Sequence, residues 1–199
     1  MMNVQASAQR KVNVRRMAVI SVLSAISIVL SMIPFVGYIK LGPVDATIMH
    51  VPVIIGAVVE GPLVGAAVGL IFGLTSLFKA LTEPTITSFC FINPVISVLP
   101  RILIGVVAYY VYALMYKISK RVYVSGFVAG VIGSLTNTIG VMGLIYVIYA
   151  DKYMQAIGQS GSAAKYVLAI CATNGIPEAI VAGILVAAVA VAMIRKSKK

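Results

Sequence analysis

The sequence predicts an all-α membrane protein, a single bundle of six transmembrane helices with both termini cytoplasmic, and three observations carry that prediction. Hydrophobic residues make up 61% of the 199 and charged residues 11%, with a mean hydropathy of +1.06. No water-soluble domain of this size has that composition. The apolar residues also fall in long runs, and a helix needs about 20 of them to cross the hydrocarbon core. Finally, Lys and Arg outnumber Asp and Glu by 16 to 5 and collect between the runs. In a soluble chain that surplus would suggest nucleic acid; here it reads as a topology signal, with the lipid bilayer as neighbour and no nucleic acid. Spans at residues 17–35, 46–60, 63–79, 94–116, 122–149 and 163–194 use up the chain, so residues 1–199 form one membrane domain.

Residues 1–16 are a polar, basic lead ending in Arg15-Arg16, and the first apolar run follows from Met17 to Phe35. That run is too long for a signal-peptide h-region and no small-residue cleavage site closes it, so it reads as a retained span with its N-terminus inside. Ala18, Ser21, Ser24 and Ala25 recur at spacings of three and four, which gathers them on one side of the helix. Small side chains there let another helix approach closely, either within the bundle or as a docking surface on Ala18, Ser21 and Ala25.

Residues 36–45 hold Gly37, Gly42, Pro43, Lys40 and Asp45, which predicts an ordered outer loop with Asp45 as the N-cap of span two. Thr47 and His50 then share a face at the start of that span, where they can point into an outward-facing cavity. Glu60-Gly61-Pro62 is a tight inner turn. In span three Gly65, Gly69 and Gly73 form a small-residue ridge for close helix packing. Another face carries Phe72, Ser76 and Lys79, from which Ser76 or Lys79 can reach the same cavity as Thr47. The outer loop from Ala80 to Phe91 is apolar enough to fold down over something, and Asn93-Pro94 supplies the cap and first turn of span four.

Span four contains Pro100, which predicts a kink, and Arg101, the one arginine inside an apolar run. A guanidinium costs at least ~2.5–3.5 kcal/mol at the centre of a membrane helix and less near its end, so it faces a bundle interior, a wet cavity or a counter-charge. It marks a functional site unless it snorkels to the outer interface or pairs with a protein carboxylate. Span five carries Asn137 near mid-membrane, where its amide either bonds across helices or binds a ligand. Span six places Asn174 and Glu178 one turn apart. With six spans, four cations of the lead, Lys117, Lys120 and Arg121, and four of the tail all lie inside, leaving Lys40, Lys79, Lys152 and Lys165 outside. At 1.5 Å per residue Arg101 sits ~10 Å from the outer face and Glu178 ~22 Å, so their direct pairing looks strained. An anionic ligand entering from outside, held by both prongs of the guanidinium, would supply the missing counter-ion.

Catalysis finds no support. The sequence has no Gly-x4-Gly-Lys-Ser/Thr loop, no His-Glu-x-x-His and a single histidine. Cys90 and Cys171 have no metal-ligand spacing, so neither a metal site, a cofactor nor a disulfide is expected. Gly158-Gln159-Ser160-Gly161 superficially resembles an intramembrane serine-protease motif, but it lies in an outer loop with no histidine after it to serve as base.

Six spans, basic inner ends, a small-residue first helix, outer loops after spans one, three and five and no ATPase motif together resemble the substrate-binding S component of an energy-coupling factor (ECF) vitamin transporter. The resemblance covers the whole chain. Its most specific stretches, residues 42–56 and 100–110 around His50 and Arg101, look most like the pantothenate-type members. It implies a vitamin site on the outer side, roofed by the first, third and fifth loops and lined by spans four to six, in the plasma membrane of a prokaryote. It further implies a transmembrane coupling protein and two ATPases as partners, against which the whole component topples. The family's first-helix Ala-x-x-x-Ala contact is present here as Ser21-x-x-x-Ala25. A pantothenate carboxylate, hydroxyls and amide would suit Arg101, Asn137, Asn93 and Asn174, with Thr47, His50, Ser76 and Tyr38 completing the expected set. Another anionic vitamin such as folate would suit the arginine as well, and a non-transporting membrane scaffold is the reading from a different class.

Overall fold

A computed structural model describes the backbone of residues 2–33, 37–41 and 44–196, and the side chains of 14–33, 37 and 47–193. Apart from one two-stranded hairpin the described residues are helical: α1 (Met2–Met32), β1 (Tyr38–Leu41), β2 (Val44–Thr47), α2 (Val51–Glu60), α3 (Pro62–Thr82), α4 (Ser88–Phe91), α5 (Pro94–Ser119), α6 (Val122–Ala156), α7 (Ala163–Thr173) and α8 (Gly175–Lys196). Five apolar stretches are long enough to cross a membrane, namely Val14–Met32, Pro62–Thr82, Pro94–Ser119, Val122–Ala156 and Ala163–Met193. The chain is therefore a multi-pass membrane protein.

The segment expected to be the first outer loop is more regular than predicted. Residues 38–41 pair antiparallel with 44–47, Tyr38 opposite Thr47 and Lys40 opposite Asp45. Asp45 is thus a ladder residue and not an N-cap, because helix α2 starts only at Val51, with Pro52 in its first turn and His50 at the cap position. Proline, which has no N–H to donate, fits that first turn, where helical donors are unpaired anyway. Ten residues give α2 a length of about 15 Å, roughly half the hydrocarbon thickness.

Two other boundaries differ from expectation. The apolar run at 163–194 is broken at Asn174 into α7 and α8, so Glu178 sits in the first turn of a new helix rather than midway along a straight one. Helix α6 continues past Tyr149, which is kinked at φ −133°, and the connection to α7 shrinks to residues 157–162. Gly158 and Gly161 turn the chain there at φ +66° and +129°, a backbone region that suits glycine.

Packing runs α3 on α5, α5 on α6 and α6 on α8. Both outer pairs close on small residues. A Cβ on Gly73 would meet the Ser97 carbonyl oxygen and Val98 Cα at 2.8 Å, and one on Gly69 would press on the backbone of Arg101 and Ile102. On the other side Gly126 and Gly130 lie against Ala187 and Gly183. Such contacts replace the hydrophobic driving force that lipid does not supply between helices. Val53, Ile54, Ile104, Ala108 and Val186 fill the centre and are fully buried.

Helix α1 turns Ser24, Ser27 and Ser31 inward, where Ser27 Oγ donates to the Met49 carbonyl. Ser24 therefore leaves the face grouped from the sequence, while Ala18, Ser21 and Ala25 stay exposed. At about 100° per residue the two sets point roughly a third of a turn apart.

Candidate functional site

A cavity of about 370 Å³ opens where these elements converge. Its wall takes Ser31 from α1, Thr47 from β2, and Met49 and His50 from the approach to α2. Helix α3 adds Phe72, Ser76 and Lys79, α5 adds Arg101 and α6 adds Asn137. The segment after α3 covers it with Thr85, Thr87, Ser88 and Phe91. This apolar loop does fold down, held by Thr85, whose backbone N–H donates to Ser88 Oγ at 2.7 Å, and by Ser97 Oγ, which donates to the Phe91 carbonyl.

Arg101 is 6% exposed. Nη1 donates to the Ile96 carbonyl at 2.7 Å, and this bond has a local cause. Pro100 stands where the helical donor to Ile96 would be, so that carbonyl lacks its backbone partner and takes the guanidinium instead. Helix α5 runs on through Pro100, with a side-chain donor spliced into its ladder. The guanidinium carbon lies 5.7 Å from the Phe72 ring centre and 5.6 Å from that of Phe91, a cation–π sandwich between wall and roof. Among the described residues Arg101 Nε has no hydrogen-bond partner and no carboxylate pairs with this side chain.

Glu178, buried at 6% exposure, reaches from α8 to the back of this wall without lining the cavity. Thr47 Oγ1 donates to Glu178 Oε1, and His50 Nδ1 lies 3.4 Å from the same oxygen. Among the described residues neither His50 ring nitrogen has a well-formed hydrogen bond, nor does Asn137 Oδ1. Unpaired buried polar atoms cost ~1–3 kcal/mol each, so three residues carrying them around one cavity describe a surface shaped for a polar ligand. At the rim, Lys79 Nζ donates to the Ser31 carbonyl at 2.7 Å and lies 3.8 Å from Glu83, which accounts for its charge.

Of the residues expected from the sequence, the structure brings Arg101, Asn137, Thr47, His50 and Ser76 to this cavity. Asn93 and Asn174 do not line it. Asn93 caps α5, its Oδ1 accepting from Val95 N at 3.0 Å, while its Nδ2 reaches Tyr149 OH at 3.5 Å. Asn174 is exposed at the break between α7 and α8 and accepts from Thr173 Oγ1. The side chain of Tyr38 lies outside the described residues. Ser31, Met49, Phe91 and the Thr85–Ser88 turn were not singled out, since only the folded chain brings α1 and the covering loop together. For Glu178 a signal existed: Gly175 and Pro177 flank Ile176 immediately after Asn174, and such helix breakers in an apolar run mark a new helix start.

The family model for the ECF transporter, substrate-specific component, matches residues 15–190. Among characterised proteins, the chain is similar to a pantothenic acid transporter of Lactococcus lactis subsp. cremoris, 33% identical over 192 residues, 88% of this chain and 92% of that protein. It is also similar to a pantothenate transporter of Leuconostoc mesenteroides subsp. mesenteroides, 32% identical over 174 residues, 83% of this chain and 85% of that one.

Proposed function

We propose, on the premise that the chain belongs to the substrate-specific components of ECF transporters, that it captures pantothenate in the cavity around Arg101 and passes it inward. The observation that carries this reading is the Arg101 guanidinium, buried beside a cavity and paired with no carboxylate among the described residues. A carboxylate ligand balances that charge, and with Nη1 committed to Ile96 the Nε–Nη2 edge is left for a two-pronged contact. Pantothenate brings one carboxylate, two hydroxyls and an amide. Asn137, His50, Thr47 and Ser76 supply complementary groups on the same wall. The names of the relatives support the same substrate.

In this reading the chain crosses a prokaryotic plasma membrane six times, with the short α2 and its hairpin making the second crossing. Both termini lie in the cytoplasm, as the basic lead and tail favour. The coupling machinery is a transmembrane protein with two ATPases, docking on the exposed face of Ala18, Ser21 and Ala25 on α1. Purified protein should carry pantothenate detectable by mass spectrometry, and after its removal should bind pantothenate with 1:1 stoichiometry in calorimetric titration. A different co-purifying vitamin, with no heat on adding pantothenate, would overturn the substrate assignment.

A further inference from the structure

At the cavity wall Thr47 and His50 converge on one carboxylate oxygen of Glu178. Thr47 Oγ1 donates to Glu178 Oε1, so that oxygen is an acceptor. His50 Nδ1 faces the same oxygen at 3.4 Å, without a well-formed hydrogen bond in this structure, so it is the ring nitrogen placed to carry a proton toward that acceptor. A neutral imidazole has one donor and one acceptor, so Nε2 is left with its lone pair. Among the described residues neither ring nitrogen has a well-formed hydrogen bond, and Nε2 is the one without a carboxylate beside it, on a side chain that is 1% exposed and lines the cavity.

We infer that Glu178 is a positioning residue, which holds His50 in the Nδ1–H tautomer so that Nε2 accepts a hydrogen bond from a hydroxyl of the bound substrate. Glu178 itself does not line the cavity. It acts on two residues that do, from 131 positions away from Thr47 in sequence, and so ties α8 to the end of the hairpin. The arrangement divides recognition: Arg101 takes the anionic end, and His50 selects ligands that offer a donor where a methylene or an acceptor would leave Nε2 buried and unpaired. The substrate half of this inference rests on the function proposed above. The tautomer half does not.

His50 is the only histidine in the chain, so nitrogen NMR of the full-length protein labelled with ¹⁵N-histidine reads it without assignment. The ligand-free protein should show a protonated Nδ1 and an unprotonated Nε2. Adding pantothenate should shift the Nε2 signal, and adding its analogue with both hydroxyls replaced by hydrogen should not. Glu178→Gln, whose amide can donate as well as accept, should mix the two tautomers and weaken pantothenate binding about tenfold, while the deoxy analogue binds both proteins alike. An Nε2–H tautomer in the wild type, or a tautomer balance unmoved by Glu178→Gln, would overturn the inference. Should that variant fail to fold, the wild-type tautomer and its response to ligand decide alone. Should pantothenate not bind, the ligand-free tautomer and its dependence on Glu178 still decide the positioning role, and only the substrate assignment falls.

Discussion

Pro100 and Arg101 are joined through a carbonyl that belongs to neither: the Ile96 oxygen left without a helical donor by the proline is taken by Nη1 of the arginine at 2.7 Å. A helix-breaking residue thus becomes the device that orients a buried cation. Restoring the backbone donor should undo it. In Pro100→Ala the new N–H competes for the Ile96 carbonyl, so thermal stability should hold or rise, since a proline inside a helix costs ~3 kcal/mol, while substrate affinity falls about tenfold. Unfolding and calorimetric titration of the same sample separate the two effects. Unchanged affinity would mean that Ile96 does not position the guanidinium.

The seam behind that arginine is expected to be equally unforgiving. Gly69 faces the backbone of Arg101, so Gly69→Ala should overpack it and cost ~1–3 kcal/mol in detergent unfolding, whereas Gly143→Ala, with nothing within 4 Å, should be neutral or stabilising by up to ~1 kcal/mol. Equal effects at the two sites would contradict the close approach of α3 and α5.

Cys90 belongs to the covering loop and is buried in one apolar cluster with Ile96 and Val141, where burial pushes its thiol up to about 11 from 9.0, opposed by the weaker influence of Lys152. The thiolate is the reactive form, so maleimide labelling of Cys90 in a Cys171→Ser background should be slow at neutral pH. Labelling should accelerate between pH 9 and 11. By linkage the buried thiol's contribution to stability is complete below pH 9 and lost as pH rises through about 11. Rapid labelling at pH 7 would show that the loop stands open.

On α1 the exposed small face can be tested apart from the cavity. Ser21→Trp or Ala25→Trp should abolish uptake by cells while leaving substrate binding to the isolated protein intact, because both side chains point away from the bundle. Loss of binding together with uptake would make this face internal packing.

Much of this was legible in the sequence because lipid imposes long apolar runs and makes charges conspicuous. Arg101 stood out by its cost, Phe72, Ser76 and Lys79 by their shared spacing, and Asn93 by its place before Pro94. What the sequence did not disclose is non-local or carried by backbone. Residues 38–47 do carry a period-two signal, Ile39, Leu41, Val44 and Ala46 alternating with polar residues, but Gly37, Gly42 and Pro43 read as loop signals and outweighed it. Depth counted along an unbroken span six misplaced Glu178, whose contacts with Thr47 and His50 exist only once α8 starts afresh after Asn174. Asn93 and Asn174 were expected in the site on residue type, but one is consumed in capping a helix and the other sits exposed at a helix break.

The most direct test sets Arg101 against the charge of the ligand. Calorimetric titration of wild type, Arg101→Lys and Arg101→Ala with pantothenate and with its uncharged alcohol analogue should show wild type strongly preferring the acid. Arg101→Ala should lose ~1.5–3 kcal/mol for the acid, roughly ten- to over a hundredfold, and bind both ligands about equally weakly. Arg101→Lys should recover only part, since an ammonium keeps the charge without the fork. An Arg101→Ala protein that folds and still prefers the acid would contradict the assignment of this arginine to the substrate carboxylate.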